Sequence, residues 1–394
     1  MSKNLKIAKS RVTELTAQDW FRVALTKGYP MAIWRLPNSE ASHAVIQVEH
    51  EEDSSLDELE NAPTGFLVNA FENHHPATPK LIRGDITISW NGDQVERGHV
   101  EISPVISDDQ IDRIKDDEKV KLPTKDVSPS HPDFEQIVTR AISEINRGTF
   151  SKVVLSRFED ERLPEGFDLI RFFLHCGETY KNAFTYIVST NEDGVWLGAT
   201  PETLLSFDNK GVFKTVSLAG TQRLDDKSLA DIAWTQKEIE EQAMVSRYVI
   251  DCFKKIRLRE YEENGPKTVK AGNLAHLKTE YAVHTEGLAI DDLSSIMMHL
   301  LHPTSAVCGM PLQPALNFIK EVEGYERGLY AGFLGPVNFN NLTHLFVNLR
   351  CMQIINDQKI RLYAGAGITA DSDPNKEFVE TQLKMNTLKN LLFK

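Results

Sequence analysis

The stretch AFTYIVSTNEDGVWLGA, residues 183–199, contains two apolar runs, AFTYIVS and GVWLGA, separated by the polar turn TNED. Aromatic and β-branched residues predict a β-strand for each run, and so short a turn indicates that the two strands pair antiparallel. Further strands are predicted at VFKTVSLA, HLFVNLRCMQII and KIRLYAGAGI. Helices are predicted at FEQIVTRAISEIN and DLIRFFLHC, from about 224 to 255, near 290–300 and 312–321, and from Pro374 onward. Strands joined by short loops, with helices packed outside them, predict an α+β fold.

The composition excludes several classes of partner. With 394 residues, of which 41% are hydrophobic, the chain can bury a large core. Its 44 basic and 57 acidic residues give a net charge of −13, so the phosphates of nucleic acid and of anionic membranes would be repelled. Scattered cysteines argue against disulfides and a zinc site. We find no signal-like or membrane-spanning apolar run, and expect a cytoplasmic protein.

The density of predicted elements changes along the chain. Residues 1–102 contain separate strand-like runs, MAIWRLP, GFLVNAF and DITISW. Residues 103–132 are charged and punctuated by prolines, which is typical of a polar linker. From Asp133 onward the predicted elements follow one another closely. A boundary is therefore expected near residue 132.

Three charged residues stand against apolar or tightly turning backbone. Lys152 lies in GTFSKVVLSRF, residues 148–158, at the start of an apolar strand rather than in a charged loop. Glu202, in GATPETLLSF, follows a strand and a proline, and the simplest interpretation is a carboxylate at a helix N-terminus. Arg350 falls inside the predicted strand HLFVNLRCMQII, and a guanidinium buried there requires an anionic partner.

Two predicted helices carry paired glutamates. Glu238 and Glu241 are three residues apart in one helix, and Glu377 and Glu380 repeat that spacing in the last helix, four residues before Lys384. Each pair taken alone is typical of a solvated helix face. Together, the two pairs could supply the oxygen ligands that Mg²⁺ prefers, with positions left open for a substrate oxygen.

From about Asp133 to the C-terminus, the sequence resembles the chorismate-utilising enzymes, most closely the isochorismate synthases. The resemblance depends on a series of motifs in this order: FSKVVLSR, GATPETLL, SLAGT, KEIEEQ, LHPTSAVCG, ERGLYAGFLG, NLRC, YAGAGI and DSDPNKEFVET. It implies one large α+β domain with two antiparallel sheets and flanking helices. In that domain, residues 1–132 would be the variable N-terminal part of the same fold, and residues 133–394 the chorismate-binding catalytic region.

The resemblance also implies a role for each residue that matches a family motif. Lys152 matches the general base that activates water to attack C2 of chorismate, and Glu202 matches the acid that protonates the departing C4 hydroxyl. A glutamate in that role needs a raised pKa. Glu241 and Glu380 match direct magnesium ligands, and Glu238 and Glu377 match glutamates that hold metal-bound water. The positions that match substrate-binding residues are Gly220, Thr221, Tyr330, Arg350, Gly365 and Lys384.

The same motifs bear on which reaction is expected. The aminating members of the family, anthranilate and aminodeoxychorismate synthases, usually have glutamine where this chain has Lys152. Aminodeoxychorismate synthases also tend to have a nucleophilic lysine in PIKGT, where this chain has SLAGT, with Ala219. The resemblance therefore implies an isochorismate synthase that uses Mg²⁺ and chorismate and needs no glutamine amidotransferase subunit. A salicylate synthase, which goes on to eliminate pyruvate, is the alternative. Menaquinone biosynthesis is the favoured pathway, with siderophore biosynthesis the other one.

Overall fold

Two antiparallel β-sheets dominate the computed structural model, which describes residues 16–48, 55–56, 58–71, 78–103, 124–125, 127, 130–224, 228–271, 274–288 and 290–393. The described strands are β1 Met31–Arg35, β2 Ala41–Ile46, β3 Gly65–Asn69, β4 Lys80–Arg83, β5 Ile86–Asn91, β6 His99–Ile102, β7 Lys152–Arg162, β8 Phe184–Thr190, β9 Gly194–Thr200, β10 Thr203–Asp208, β11 Val212–Arg223, β12 Glu262–Ala271, β13 Leu274–His284, β14 Gly309–Met310, β15 Phe333–Val337, β16 Leu342–Val347, β17 Cys351–Asn356 and β18 Lys359–Ile368. The described α-helices are α1 Ala17–Lys27, α2 Phe134–Asn146, α3 Leu169–Thr179, α4 Gln236–Lys255, α5 Leu293–Leu301, α6 Leu312–Val322 and α7 Pro374–Leu392.

The ten-stranded sheet has the order β14-β7-β18-β17-β9-β8-β1-β2-β5-β6, and the eight-stranded sheet has the order β12-β13-β11-β10-β16-β15-β3-β4. All these pairings are antiparallel. The pair predicted from residues 183–199 is confirmed, because β8 and β9 are neighbours with Phe184 opposite Thr200. Strands from the N-terminal third belong to both sheets, so the predicted α+β fold with two antiparallel sheets is confirmed.

Aromatic side chains hold the two sheets together. Phe184 of the ten-stranded sheet stacks on Phe346 of the eight-stranded sheet, with 4.0 Å between ring centroids. Trp34 and Phe66 make a second contact of this kind at 5.4 Å. A separate apolar cluster covers the other face of the ten-stranded sheet, where α1, α3 and α7 pack with residues such as Trp20. Helix α4 packs on β11 of the eight-stranded sheet, and helix α7 packs on β18 of the ten-stranded sheet.

Helix α4 is shorter than the sequence predicts. It begins at Gln236 rather than near Leu224, because Thr235 and Glu238 form a capping box that defines the N-terminus. The Thr235 hydroxyl accepts a hydrogen bond from the Glu238 amide, and the Glu238 carboxylate accepts one from the Thr235 amide. Helix α7 begins as predicted at Pro374, where the Asp373 side chain caps the first turn.

The run HLFVNLRCMQII is two strands rather than the single strand that was predicted. β16 ends at Val347 in the eight-stranded sheet, and β17 begins at Cys351 in the ten-stranded sheet. The chain crosses between the sheets at residues 348–350, and Arg350 has a left-handed backbone with φ 48°. Arg350 is therefore at a crossover between the sheets and not inside a strand. An apolar run does not reveal this, because both strands are buried.

The structure also bears on the predicted linker, the cysteines and membrane-spanning segments. Most of the predicted linker at 103–132 lies outside the described residues, so the boundary near residue 132 stays a prediction. All four cysteines are free and buried. None of the described helices has the length and apolar character needed to cross a membrane. The hairpin of β12 and β13 and the helix α1 were not predicted.

Candidate active site

Lys152 is the first residue of β7, and only 5% of its surface is exposed. Gly367 on the neighbouring strand β18 makes room for this side chain, because a Cβ there would lie 3.0 Å from Lys152 Cε. The Nζ ammonium donates a hydrogen bond of 2.8 Å to Oε1 of Glu241 on helix α4. The residue that matches the base is thus joined directly to a residue that matches a metal ligand.

Glu202 lies in the two-residue connection between β9 and β10, so the interpretation of this carboxylate as a helix cap is wrong. Burial raises the pKa of the Glu202 carboxyl to about 7, although the positive charges of Lys152, Arg350 and Lys384 act in the opposite direction. The direction of this shift agrees with the raised pKa expected of an acid at this position. With such a pKa, the carboxyl can hold or release a proton near neutral pH.

The guanidinium of Arg350 interacts electrostatically with Glu202 and with Glu380. Burial lowers the pKa of Arg350, while Tyr330, Glu380 and Glu202 act to raise it. Within the described residues, no carboxylate forms an ion pair with this guanidinium. A partly buried guanidinium without such a partner is suited to binding the carboxylate of a ligand.

Tyr330 is buried, with 4% of its surface exposed, and its ring stacks on Tyr363 with 5.5 Å between centroids. Its hydroxyl lies against the backbone of Gly365, where a Cβ would come within 2.9 Å of the Tyr330 oxygen. Burial raises the pKa of Tyr330, so the hydroxyl keeps its proton. Tyr330 can therefore act as a hydrogen-bond donor beside Gly365.

Lys384 on α7 connects the last helix to strand β18. Its Nζ donates a hydrogen bond of 2.8 Å to the carbonyl of Gly365 and forms an ion pair of 2.6 Å with Glu380. Burial lowers the pKa of Lys384, and Glu380 acts in the opposite direction. Gly365 is the residue of β18 opposite Ser156 of β7, so Lys384 reaches the same strand pair that carries Lys152.

Gly220 forms a bulge in β11, with φ 65°, between Ala219 and Thr221. The left-handed backbone favours glycine, and a Cβ there would lie 3.2 Å from the Trp234 ring. Thr221 follows the bulge and lies opposite His276 of β13. The bulge turns the Gly220 carbonyl toward His276, whose Nδ1 donates a hydrogen bond of 3.0 Å to it.

His276 is a site residue that the sequence did not predict. It is buried, and burial lowers its pKa, with Arg350 acting in the same direction and the Gly220 hydrogen bond against it. Because the charge of Arg350 acts on the pKa of His276, this neutral imidazole lies in the same electrostatic environment as Arg350. The only sequence signal is a polar ring between the apolar residues Ala275 and Leu277, which is also typical of an ordinary core histidine.

The four glutamates lie on two helices and are engaged in different ways. Glu238 accepts hydrogen bonds of 2.7 Å from the Thr235 amide and 2.8 Å from Gln222 Nε2. Glu377 is buried, whereas the Glu380 side chain is 49% exposed. In the part of the chain that the structure describes, no group of three or more His, Cys, Asp or Glu side chains is arranged to hold a metal ion. Glu241 and Glu380 are each paired with a lysine instead.

The predicted site residues therefore come from both sheets, from the segments that connect strands, and from the helices α4 and α7. The positive charges of Lys152, Arg350 and Lys384 all act on one carboxyl with a raised pKa, that of Glu202. Such a site can bind an anionic ligand and can move protons between an amine and a carboxyl group. The individual roles of the residues stay predictions.

Comparisons with known proteins indicate one family. Residues 92–393 match the model of the chorismate binding enzymes. The isochorismate synthase EntC of Escherichia coli (strain K12) is 30% identical over 274 residues, which cover 67% of this chain and 68% of EntC. The isochorismate synthase DhbC of Bacillus subtilis (strain 168) is 29% identical over 273 residues, which cover 66% of this chain and 67% of DhbC.

Solved structures share the fold. The menaquinone-specific isochorismate synthase MenF of Escherichia coli superimposes with a TM-score of 0.77 at 24% identity, covering 96% of this chain and 91% of that one. Component I of anthranilate synthase from Streptococcus pneumoniae gives a TM-score of 0.63 at 19% identity, covering 91% of this chain and 90% of that one. At these identities the likeness shows the fold alone.

Proposed function

Because this chain belongs to the chorismate-binding enzyme family, we propose that it is an isochorismate synthase, an isomerase that converts chorismate to isochorismate. The observation that carries the proposal is the placement of Lys152 and Glu202 in one group of charges, with the Glu202 pKa at about 7. Relatives such as EntC and DhbC, which carry this name, support the same reaction.

In the proposed reaction, Lys152 takes a proton from a water molecule whose oxygen bonds to C2 of chorismate. The ring double bonds shift, the bond from C4 to its hydroxyl breaks, and Glu202 gives its proton to the departing oxygen. One water enters and one water leaves, so the product is an isomer of the substrate. The two groups act at different ring positions, which is why an amine and a separate acid are both needed.

Arg350 and Tyr330 would bind the enolpyruvyl carboxylate of chorismate, and Lys384 would contact the substrate at another position. The Arg350 guanidinium can form two parallel hydrogen bonds with a carboxylate, and the Tyr330 hydroxyl is a neutral donor. Gly220 and Gly365 would allow backbone groups to approach the ligand, since neither has a side chain in the way. These contacts would supply local positive charge on a protein whose net charge is −13.

We propose Mg²⁺ as the cofactor, held by Glu241 and Glu380 directly and by Glu238 and Glu377 through water. Carboxylate oxygens suit this hard cation, so the donor set fits, although the four groups do not converge on one point in this structure. When bound, Mg²⁺ would neutralise the ring carboxylate of chorismate. Glu241 and Glu380, each of which forms an ion pair with a lysine in this structure, are the groups that would hold the metal directly.

Water rather than ammonia is the proposed nucleophile, and no glutamine amidotransferase subunit is part of the proposal. The support is Lys152, where the aminating relatives usually have glutamine, and Ala219, which has no nucleophilic group.

We place the enzyme in the cytoplasm and in menaquinone biosynthesis. The matching proteins include the isochorismate synthase MenF of Escherichia coli and a vibriobactin-specific isochorismate synthase of Vibrio cholerae, so a genetic test is needed. Rescue of menaquinone synthesis in a bacterium lacking its own isochorismate synthase would support this pathway, whereas rescue of siderophore synthesis alone would contradict it.

The direct experiment is incubation of the purified protein with chorismate and Mg²⁺, followed by chromatography of the products with ultraviolet and fluorescence detection. Isochorismate as the sole product supports the proposal. Fluorescent salicylate together with pyruvate would replace it with the alternative, a salicylate synthase. Unchanged chorismate would contradict both.

A further inference from the structure

Strand β7, which begins with Lys152, has two unequal edges. One edge pairs with β18 from Val153 to Arg162. The other edge pairs with the short strand β14 only at Lys152 and Val153, and the Val154 amide then donates a hydrogen bond of 2.8 Å to Cys308. Beyond that point, the backbone groups on this edge need partners of another kind, because an unpaired buried amide or carbonyl is costly.

Two fully buried side chains, Glu323 and Arg327, supply these partners. Arg327 Nη2 donates a hydrogen bond of 2.8 Å to the Val154 carbonyl, and Glu323 Oε1 accepts one of 2.7 Å from the Ser156 amide. The two side chains bind each other as well, with Arg327 Nε 2.8 Å from Glu323 Oε2, and neither is exposed. This ion pair continues the hydrogen-bond ladder of β7 past the end of β14.

The same ion pair holds two neighbouring segments. Arg327 Nη1 donates a hydrogen bond of 2.9 Å to the carbonyl of Val307, just before β14. The Tyr330 amide donates one of 3.1 Å to the Arg327 carbonyl, which fixes the turn that carries the Tyr330 ring. The guanidinium also lies over the ring of Phe71, 4.2 Å from its centroid. Few directions remain in which the guanidinium could move.

We propose that the buried ion pair of Glu323 and Arg327 positions Lys152 and Tyr330 for the reaction, a role that rests on the proposed function. A buried ion pair contributes little net stability compared with an apolar pair of similar volume. Stability alone therefore does not explain why Glu323 and Arg327 are charged. Its planar, directional hydrogen bonds instead fix the β7 backbone two residues from Lys152. Small displacements of a reacting group are costly for catalysis, by about a hundredfold per ångström.

The test uses variants that remove the directional bonds but keep the core filled. In Glu323→Leu/Arg327→Met, both charges are removed together. Arg327→Lys keeps the charge opposite Glu323 but loses the planar fork that reaches two carbonyls. The matched control is Asp160→Leu/Arg361→Met, because Asp160 and Arg361 form a two-bond ion pair of 2.7 and 3.0 Å near the far end of β7.

We expect folded Glu323→Leu/Arg327→Met to lose about tenfold or more in kcat with little change in KM for chorismate. Arg327→Lys should lose less, and the control should keep its kcat within about twofold even if its melting temperature falls. Backbone amide exchange in residues 148–158 should become faster in the double variant than in the control. These results together would support a positioning role.

An unchanged kcat in the folded double variant would overturn the proposal, as would equal losses in the double variant and the control. A change in KM alone would also overturn it. If the double variant does not fold, Arg327→Lys decides in the same way, since an unchanged kcat there contradicts the proposal. If the wild-type protein does not convert chorismate, the proposed function fails separately, and unchanged amide exchange in β7 would still show that the ion pair does not hold the strand.

Discussion

Replacing Glu202 by glutamine removes a carboxyl whose pKa burial raises from 4.5 to about 7. Below pH 4.5, the folded and unfolded chains both carry this proton. Between pH 4.5 and pH 7, the folded chain keeps the proton that the unfolded chain releases, so the free energy of unfolding decreases as the pH rises. Above pH 7 the loss is complete and amounts to about 3 kcal/mol, since each pKa unit corresponds to about 1.4 kcal/mol.

Glu202→Gln should therefore be inactive in isochorismate formation yet more stable than the wild type at alkaline pH. We expect a gain of about 3 kcal/mol at pH 8 and of about 1 kcal/mol at pH 5. For a chain of 394 residues, a gain of 3 kcal/mol raises the melting temperature by about 4 °C. Thermal melts followed by circular dichroism at both pH values measure this difference. Glu178→Gln, which changes an exposed carboxylate on α3, is the control and should show no pH-dependent gain.

An equal effect of Glu202→Gln at pH 5 and pH 8 would refute this reasoning. It would mean that the folded protein ionises Glu202 without cost and that burial does not hold the proton there. The carboxyl would then lack the property that makes it a credible acid, even if the variant were inactive.

The remaining predictions concern the metal, the nucleophile and the substrate. Glu241→Ala and Glu380→Ala should each abolish activity while leaving the circular dichroism spectrum unchanged, because a site with few protein ligands loses affinity for Mg²⁺; near-normal turnover at low Mg²⁺ would show that these ligands are wrongly assigned. Incubation of the enzyme with chorismate and ammonium salts should give no aminated product. Detection of one by mass spectrometry would show that the enzyme does not select water as the nucleophile. Arg350→Met should raise KM for chorismate by about tenfold to a hundredfold, the worth of a hydrogen bond to a charged group, and an unchanged KM would mean that Arg350 does not bind a carboxylate.

Much of the fold could be predicted from local pattern. The runs around Phe184 and Trp196 are apolar and β-branched, and the short turn between them left antiparallel pairing as the simple outcome. The helix from Pro374 has its capping residue and its proline in adjacent positions, which defines its start. These signals depend on neighbours in the chain, so they are visible in one sequence.

The position of Arg350 could not be predicted in this way. Its two flanking strands are both buried and apolar, and only the tertiary structure shows that they belong to different sheets. The same holds for Glu202, where a carboxylate after a proline fits a helix start as well as a strand connection. Local sequence does not distinguish these cases, because the deciding contacts come from distant residues.

The candidate site was predicted through ordered motifs, and its internal contacts were not. The sequence placed Lys384 four residues after the predicted metal ligand Glu380, but it gave no sign that Glu241 and Glu380 would each bind a lysine. His276 was missed for a related reason. A single histidine in an apolar strand is common, and only its hydrogen bond to Gly220 and the influence of Arg350 place it in the site.

The most direct test of the central claim is the rate of Lys152→Gln in both directions, starting from chorismate and from isochorismate. Glutamine keeps hydrogen-bonding capacity but cannot act as a base, so both rates should fall by about two to four orders of magnitude. Their ratio should be preserved, because the equilibrium between the two isomers does not depend on the enzyme. A folded Lys152→Gln enzyme with wild-type turnover would contradict the account.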